Sequence, residues 1–144
     1  MFSKNAHRNS NKTSKIQGNE MTLRNTMVQL VDYRDLEGII ESNKNFGCSD
    51  IDMIYERKGK FLVAEWKKPN EDVSGGQDIL LKALAKVEEF TVIKVCGYSE
   101  DTRLTVYDFY YLKPSGIWAY VGQGKERLTT FIQNWYAKAD NVQK

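Results

Sequence analysis

The chain has 144 residues, 41% of them hydrophobic and 28% charged, with a net charge of +2; that balance suits one folded soluble domain and excludes a disordered chain. Two cysteines (Cys48, Cys96) and one histidine (His7) exclude a disulfide scaffold, a His-rich zinc site and a Ser-His-Asp triad. With His7 alone in a polar tail, any metal would be held by carboxylates; no apolar run reaches the roughly 18 residues of a membrane span, and the protein is expected in the cytoplasm.

Residues 1–21 read as a basic tail. Within residues 1–26, Lys4, Arg8, Lys12, Lys15 and Arg24 stand against Glu20 alone, which leaves a charge of −2 for the remainder. Two uses are open, a flexible tail or an arm that touches phosphates. Residues 22–144 are expected to form a single domain. The spacing of Met27, Leu30, Val31, Leu36, Ile39 and Ile40 predicts a helix over about 22–43. Strand-like alternation follows from Ser49 to Tyr55, a turn around Lys58-Gly59, and a returning strand from Phe61 to Lys67 that Pro69 ends. A second helix is predicted over about 75–90, with Leu80, Ala83, Leu84 and Val87 as its apolar stripe. Strands follow at 91–97, 104–112 and 117–121. A last helix over 125–138 presents Leu128, Phe131, Ile132 and Trp135 on one face. The fold class is α/β, a mixed sheet of about five strands flanked by helices.

The hairpin between Asp50 and Lys67 carries the chemistry. A two-residue turn at Lys58-Gly59, or a four-residue turn over Arg57 to Lys60, sets Asp52 opposite Glu65 and Asp50 opposite Lys67, so all four side chains share one face while Ile51, Ala64 and Trp66 take the other. Charges on an otherwise apolar strand are costly unless paired or metal-bound. Oxygen ligands at this density suit Mg²⁺, which takes one or two carboxylates plus waters and phosphate oxygens. A lysine beside such an ion stabilises charge or orients a nucleophile, a toolkit for phosphodiester hydrolysis that needs no histidine. A cross-strand ion-pair ladder is the structural alternative.

Asp50 followed fifteen residues later by Glu65-Trp66-Lys67 resembles the D…(D/E)-x-K signature of the PD-(D/E)XK nuclease superfamily. The pattern is nearest to virus-type replication-repair nucleases and Holliday junction resolvases. Gly47-Cys48-Ser49-Asp50 resembles the glycine-led approach to that family's first catalytic strand, with Ser49 where proline is common. Ser74-Gly75-Gly76-Gln77 matches the glutamine that opens the following helix. The resemblance implies a restriction-endonuclease-like α-β-β-α-β core over about 22–97, extended by a C-terminal hairpin and helix. It implies a Mg²⁺-dependent DNA endonuclease, with Mn²⁺ as substitute, acting on branched or nicked DNA in repair or recombination. It further implies Asp50 or Asp52, Glu65, the Trp66 backbone carbonyl and a first-helix glutamate (Glu37 or Glu41) as metal ligands. Lys67 would serve the attacking water and Gln77 would support the site. Compact relatives are common in phages, and resolvase-like ones form homodimers. A non-catalytic interaction module on the same fold and an RNA endonuclease are the alternatives.

Lys68 and the hairpin-tip cations Arg57, Lys58 and Lys60 are candidate DNA contacts. The aromatic hairpin of Tyr107, Phe109, Tyr110, Tyr111, Trp118 and Tyr120 is expected to pack on Phe131 and Trp135 of the last helix. Base stacking or a dimer surface are its other uses. Both cysteines are expected as free thiols.

Overall fold

The structure, a computed structural model, describes residues 31–142. These fall into two compact units, 31–48 with 101–103, and 49–100 with 104–142. The tail and the start of the predicted first helix lie outside the described residues.

In the first unit the predicted helix is not formed from Val31 onward; a single 3₁₀ turn, Arg34–Leu36, is followed by bends. Two local features explain this. The Asp32 carboxylate accepts from the Arg34 backbone N–H at 3.0 Å and from its guanidinium, a side-chain turn that competes with helical bonding. Gly38 then adopts φ +74°, a left-handed conformation that stops any helix. Leu36, Ile39 and Ile40 are left exposed.

The second unit is a five-stranded mixed sheet with a helix on each face. The strands β1 (Met53–Arg57), β2 (Lys60–Lys67), β3 (Phe90–Glu100), β4 (Arg103–Leu112) and β5 (Trp118–Gln123) lie in chain order across it. β1 and β2 are antiparallel around Lys58 (φ +51°) and Gly59 (φ +81°), the geometry of a two-residue hairpin turn. Their register, from Met53 opposite Ala64 to Arg57 opposite Lys60, is the one the turn predicts. Helix α1 (Gly75–Ala85) then carries the chain across to β3, which pairs with β2 in parallel. Helix α2 (Lys125–Asp140) closes the chain.

Each helix seals one face. Leu62, Ala64, Ile93, Val95, Val106 and Phe109 pack under Leu128 of α2, with Trp66, Phe131, Ile132 and Trp135 around them. Val63, Val92 and Leu112 pack under Leu81 and Ala85 of α1. The predicted face of α2 is thus the observed one, but the stripe of α1 is rotated. Leu81 and Ala85 are buried, whereas Ala83 and Val87 are exposed. Ile79, Leu80, Leu81, Ala83, Leu84 and Ala85 offer several apolar phases, and packing on the sheet selects the one that continues back to Gln77. The aromatic hairpin also divides. Phe109 meets Phe131 edge-on at 5.7 Å, as expected, but Trp118 packs on the α1 side and Tyr120 is exposed. Both cysteines are free thiols. Among the described residues no helix is long and apolar enough to cross a membrane.

Candidate active site

Glu65 sits near the C-terminal end of β2, facing α1, and is only 3% exposed. It is the one charged residue buried among the described residues. Two side chains meet it. The Gln77 amide N–H donates to Glu65 Oε2 at 2.5 Å, and Lys67 Nζ lies 3.5 Å from the same oxygen. Lys67 Nζ also donates to Gln77 Oε1 at 2.8 Å, so Gln77 bridges acid and base with both ends of its amide.

The local sequence explains how this triangle forms. Glu65 and Lys67 are two apart on a strand and share a face. Pro69 then ends β2, and a turn closed by Glu71 N–H on the Lys68 carbonyl at 3.1 Å redirects the chain. Ser74 is extended and α1 begins at Gly75, with φ +59°. Ser74-Gly75-Gly76-Gln77 spells a capping box, in which the fourth residue folds back onto the helix start. Here Ser74 makes no side-chain cap bond, and the Gln77 amide is spent on Glu65 and Lys67 instead. A stability device has been diverted into the polar cluster.

Asp52 joins from the residue before β1; the observed register ends at Met53 opposite Ala64, so the expected pairings of Asp52 with Glu65 and Asp50 with Lys67 are not formed as ladder pairs. Its Oδ2 accepts the Trp66 backbone N–H at 2.9 Å, replacing the ladder bond that would follow Met53. Burial pushes the Glu65 carboxyl above the usual carboxylate range, the Asp52 charge pushes it further, and Lys67 and Gln77 pull it back. Two carboxylates that repel one another beside a lysine fit a divalent cation of the Mg²⁺ type, which needs only one or two protein carboxylates. Among the described residues no cluster of three Asp, Glu, His or Cys side chains occurs.

The other sequence candidates are placed as follows. Asp50 is exposed and makes no side-chain hydrogen bond among the described residues; its neighbour Ser49 points its hydroxyl toward Gly76, one residue before Gln77. The Trp66 side chain packs on the α2 side, away from Glu65. Glu37 and Glu41 lie in the first unit, both exposed. They do not share a helix face as expected, because no helix forms there; Glu41 instead pairs with Lys44 at 3.2 Å. Lys68 is exposed, next to the triangle in sequence. Arg57 and Lys58 are tied to the end of α2, Arg57 Nε donating to Asp140 Oδ1 and Lys58 Nζ to the Asp140 carbonyl, each at 2.7 Å. Lys60 lines a groove of about 620 Å³ with Tyr111, Phe131 and Trp135, at the opposite end of β2 from Glu65.

Sequence reasoning missed Lys94. The parallel register sets it beside Glu65, and its ammonium lies 4.8 Å from the Tyr110 ring centroid and 4.9 Å from that of Trp118. The signal was a lone lysine in an apolar β-branched strand. The Cys96 thiol, opposite Lys67 in the same register, is pushed up by burial and by its hydrogen bond to Asp108, which keeps it a thiol rather than a nucleophile. No protein-family model, curated protein or solved structure matches the chain.

Proposed function

We propose that the protein is a Mg²⁺-dependent endonuclease that hydrolyses phosphodiester bonds in DNA, built on a restriction-endonuclease-like core. The observation that carries this reading is the buried Glu65 joined to Lys67 through Gln77. A purely structural ion pair at this position gains little, because the desolvation of two charges offsets their attraction. The hairpin, crossing helix and parallel strand agree with the α-β-β-α-β order of the nuclease core from β1 onward.

Glu65 and Asp52, with the Trp66 carbonyl, would hold the cation, and Asp50, two residues before Asp52 and exposed, is the further candidate ligand. When bound, Mg²⁺ supplies a water of lowered pKa and neutralises phosphate charge. Lys67 has three N–H donors, of which one goes to Gln77 and one is directed at Glu65. The third is left to hold the attacking water or a phosphoryl oxygen at Nζ. Gln77 fixes the ammonium so that this donor is oriented before substrate arrives. Lys68 adds positive charge at the rim.

The test incubates wild type and Lys67→Ala with Mg²⁺ and labelled four-way junction, flap, duplex and single-stranded DNA, with an RNA arm. Wild type is expected to cut at least one DNA, and Lys67→Ala to be slower by roughly 100-fold or more, the scale of a lost acid-base or charge-stabilising group. No cleavage of DNA in Mg²⁺ or Mn²⁺, or equal cleavage by the variant, overturns the reading. Cleavage of RNA alone moves it to a ribonuclease, and binding without cleavage to an interaction module.

A further inference from the structure

The face of the sheet that carries Glu65 and Lys67 continues sideways, beyond α1, into Lys94, Tyr110, Trp118 and Tyr120. Lys94 pairs with Glu65 on the neighbouring parallel strand, so the two side chains leave the same face. β4 and β5 lie one and two strands further on, which places their aromatic rings about 10–15 Å from Glu65 at about 4.8 Å per strand. Trp118 is partly covered by the α1 cluster, but Tyr120 is 59% exposed. Its ring is braced edge-on by Tyr110 at 5.6 Å and 74°.

Lys94 is half-buried, and it makes no ion pair with a carboxylate among the described residues. The two rings keep its ammonium beside them without neutralising it. A cation with no ion pair among the described residues, next to a braced, solvent-facing ring, matches a ligand that is at once an anion and a flat π-system. A nucleotide is such a ligand, and it offers its base face only when unpaired. A second copy of the chain fits less well, because a two-fold contact through this face would bring two Lys94 ammoniums together.

We propose that Lys94, Tyr110, Trp118 and Tyr120 form a subsite for an unpaired nucleotide beside the scissile phosphate, Lys94 taking the phosphate and Tyr120 stacking the base. The substrate class is then DNA with a single-stranded segment; this rests on the nuclease reading of Glu65 and Lys67.

The test is made on the full chain with chelator present, so that nothing is cut. Fluorescence anisotropy follows binding of a short labelled oligothymidylate, the matching oligouridylate and a duplex to wild type, Tyr120→Ala, Tyr120→Phe and Lys94→Gln. Tyr120→Ala is expected to weaken single-strand binding roughly fivefold or more, the scale of one lost base stack, with duplex binding unchanged. Tyr120→Phe is expected to bind as wild type does, because it keeps the ring. Lys94→Gln is expected to weaken single-strand binding and flatten its salt dependence. Equal loss on duplex and single strand, or no loss in Tyr120→Ala, overturns the subsite. A change from dimer to monomer in Tyr120→Ala without loss of oligonucleotide binding overturns it in favour of a subunit contact. Tighter binding of oligouridylate than oligothymidylate overturns the DNA assignment while keeping the subsite. Because binding is read without catalysis, a protein that binds in this way yet never cuts sinks the nuclease reading alone. One that cuts single strand and duplex with a ratio unaffected by Tyr120→Ala sinks the subsite alone.

Discussion

Glu65 is where stability and chemistry oppose each other. The folded chain holds its carboxyl proton to higher pH than the unfolded chain does, because burial and Asp52 disfavour the charge. Protons are therefore taken up on folding between the ordinary glutamate range and the raised value, and stability falls as pH climbs through that window. Glu65→Gln removes the titration and keeps a polar partner for Gln77. With chelator at neutral pH this variant is expected to melt at or above the wild-type temperature, with a flatter pH dependence. Glu65→Ala is expected to melt lower, since Gln77 and Lys67 lose an acceptor. Mg²⁺ is expected to raise the wild-type melting temperature and leave Glu65→Gln unmoved, by the mass action of a ligand that binds only the folded state. Thermal unfolding across pH, with and without Mg²⁺, checks all three. In the nuclease reading, cleavage is expected to rise with pH through the same window, because the carboxylate form is the one that would hold the cation.

At the scale of elements, the strand beside the site tolerates little. Gly97 follows Cys96 in β3, and a Cβ there would overlap the Thr105 carbonyl oxygen of the neighbouring chain segment. Backbone cannot step aside as a side chain can, so Gly97→Ala is expected to cost about 1–3 kcal/mol. Gly122 in β5 is the contrast: the atoms a Cβ would meet belong to the flexible Arg127 side chain, with Cγ at 2.7 Å. Gly122→Ala is expected to cost less than Gly97→Ala, and urea denaturation of the two variants measures the difference. A further consequence of the elements concerns the hairpin tip. Arg57 and Lys58 clasp Asp140 at the end of α2, holding the Asp140 carboxyl below its usual range, so these cations serve the β1–β2 turn and α2 rather than DNA in our reading.

Over the whole molecule the charge is small and uneven, with the excess of cations in residues 1–26 and a slight negative balance beyond them. In the nuclease reading, nucleic acid is then gripped by a few local groups, and Lys67, Lys68 and Lys94 are the ones near the candidate site. Three phosphate contacts on a single strand correspond to a slope of about −2 in log affinity against log salt, and Lys94→Gln is expected to reduce it by about 0.7. A much steeper slope in a chain lacking residues 1–26 would place the grip elsewhere on the body. The same slope lost on removing those residues would assign it to the basic arm.

The hairpin was legible in the residues because its information is local. A two-residue turn at Lys58-Gly59 and a four-residue turn over Arg57 to Lys60 give the same register, and the period of two puts Glu65 and Lys67 on one face. Leu128, Phe131, Ile132 and Trp135 likewise marked the buried face of α2, since only one apolar stripe exists there. Three features were not legible, the first for local reasons and the other two because they depend on the rest of the molecule. The helix expected over 22–43 does not form where it is described, because Asp32 and Gly38 outweigh a weak apolar period. The phase of α1 was ambiguous among six apolar residues until the sheet selected Leu81 and Ala85, and that rotation is what delivers Gln77 to Glu65. The pairing of β2 with β3 joins residues about thirty apart, as Glu65 with Lys94, and no local pattern encodes such a register. The sequence by itself determined which chemistry was at hand, an acid and a lysine on one strand. Only the tertiary structure decided what surrounds them, because burial and long-range pairing are properties of the assembled sheet.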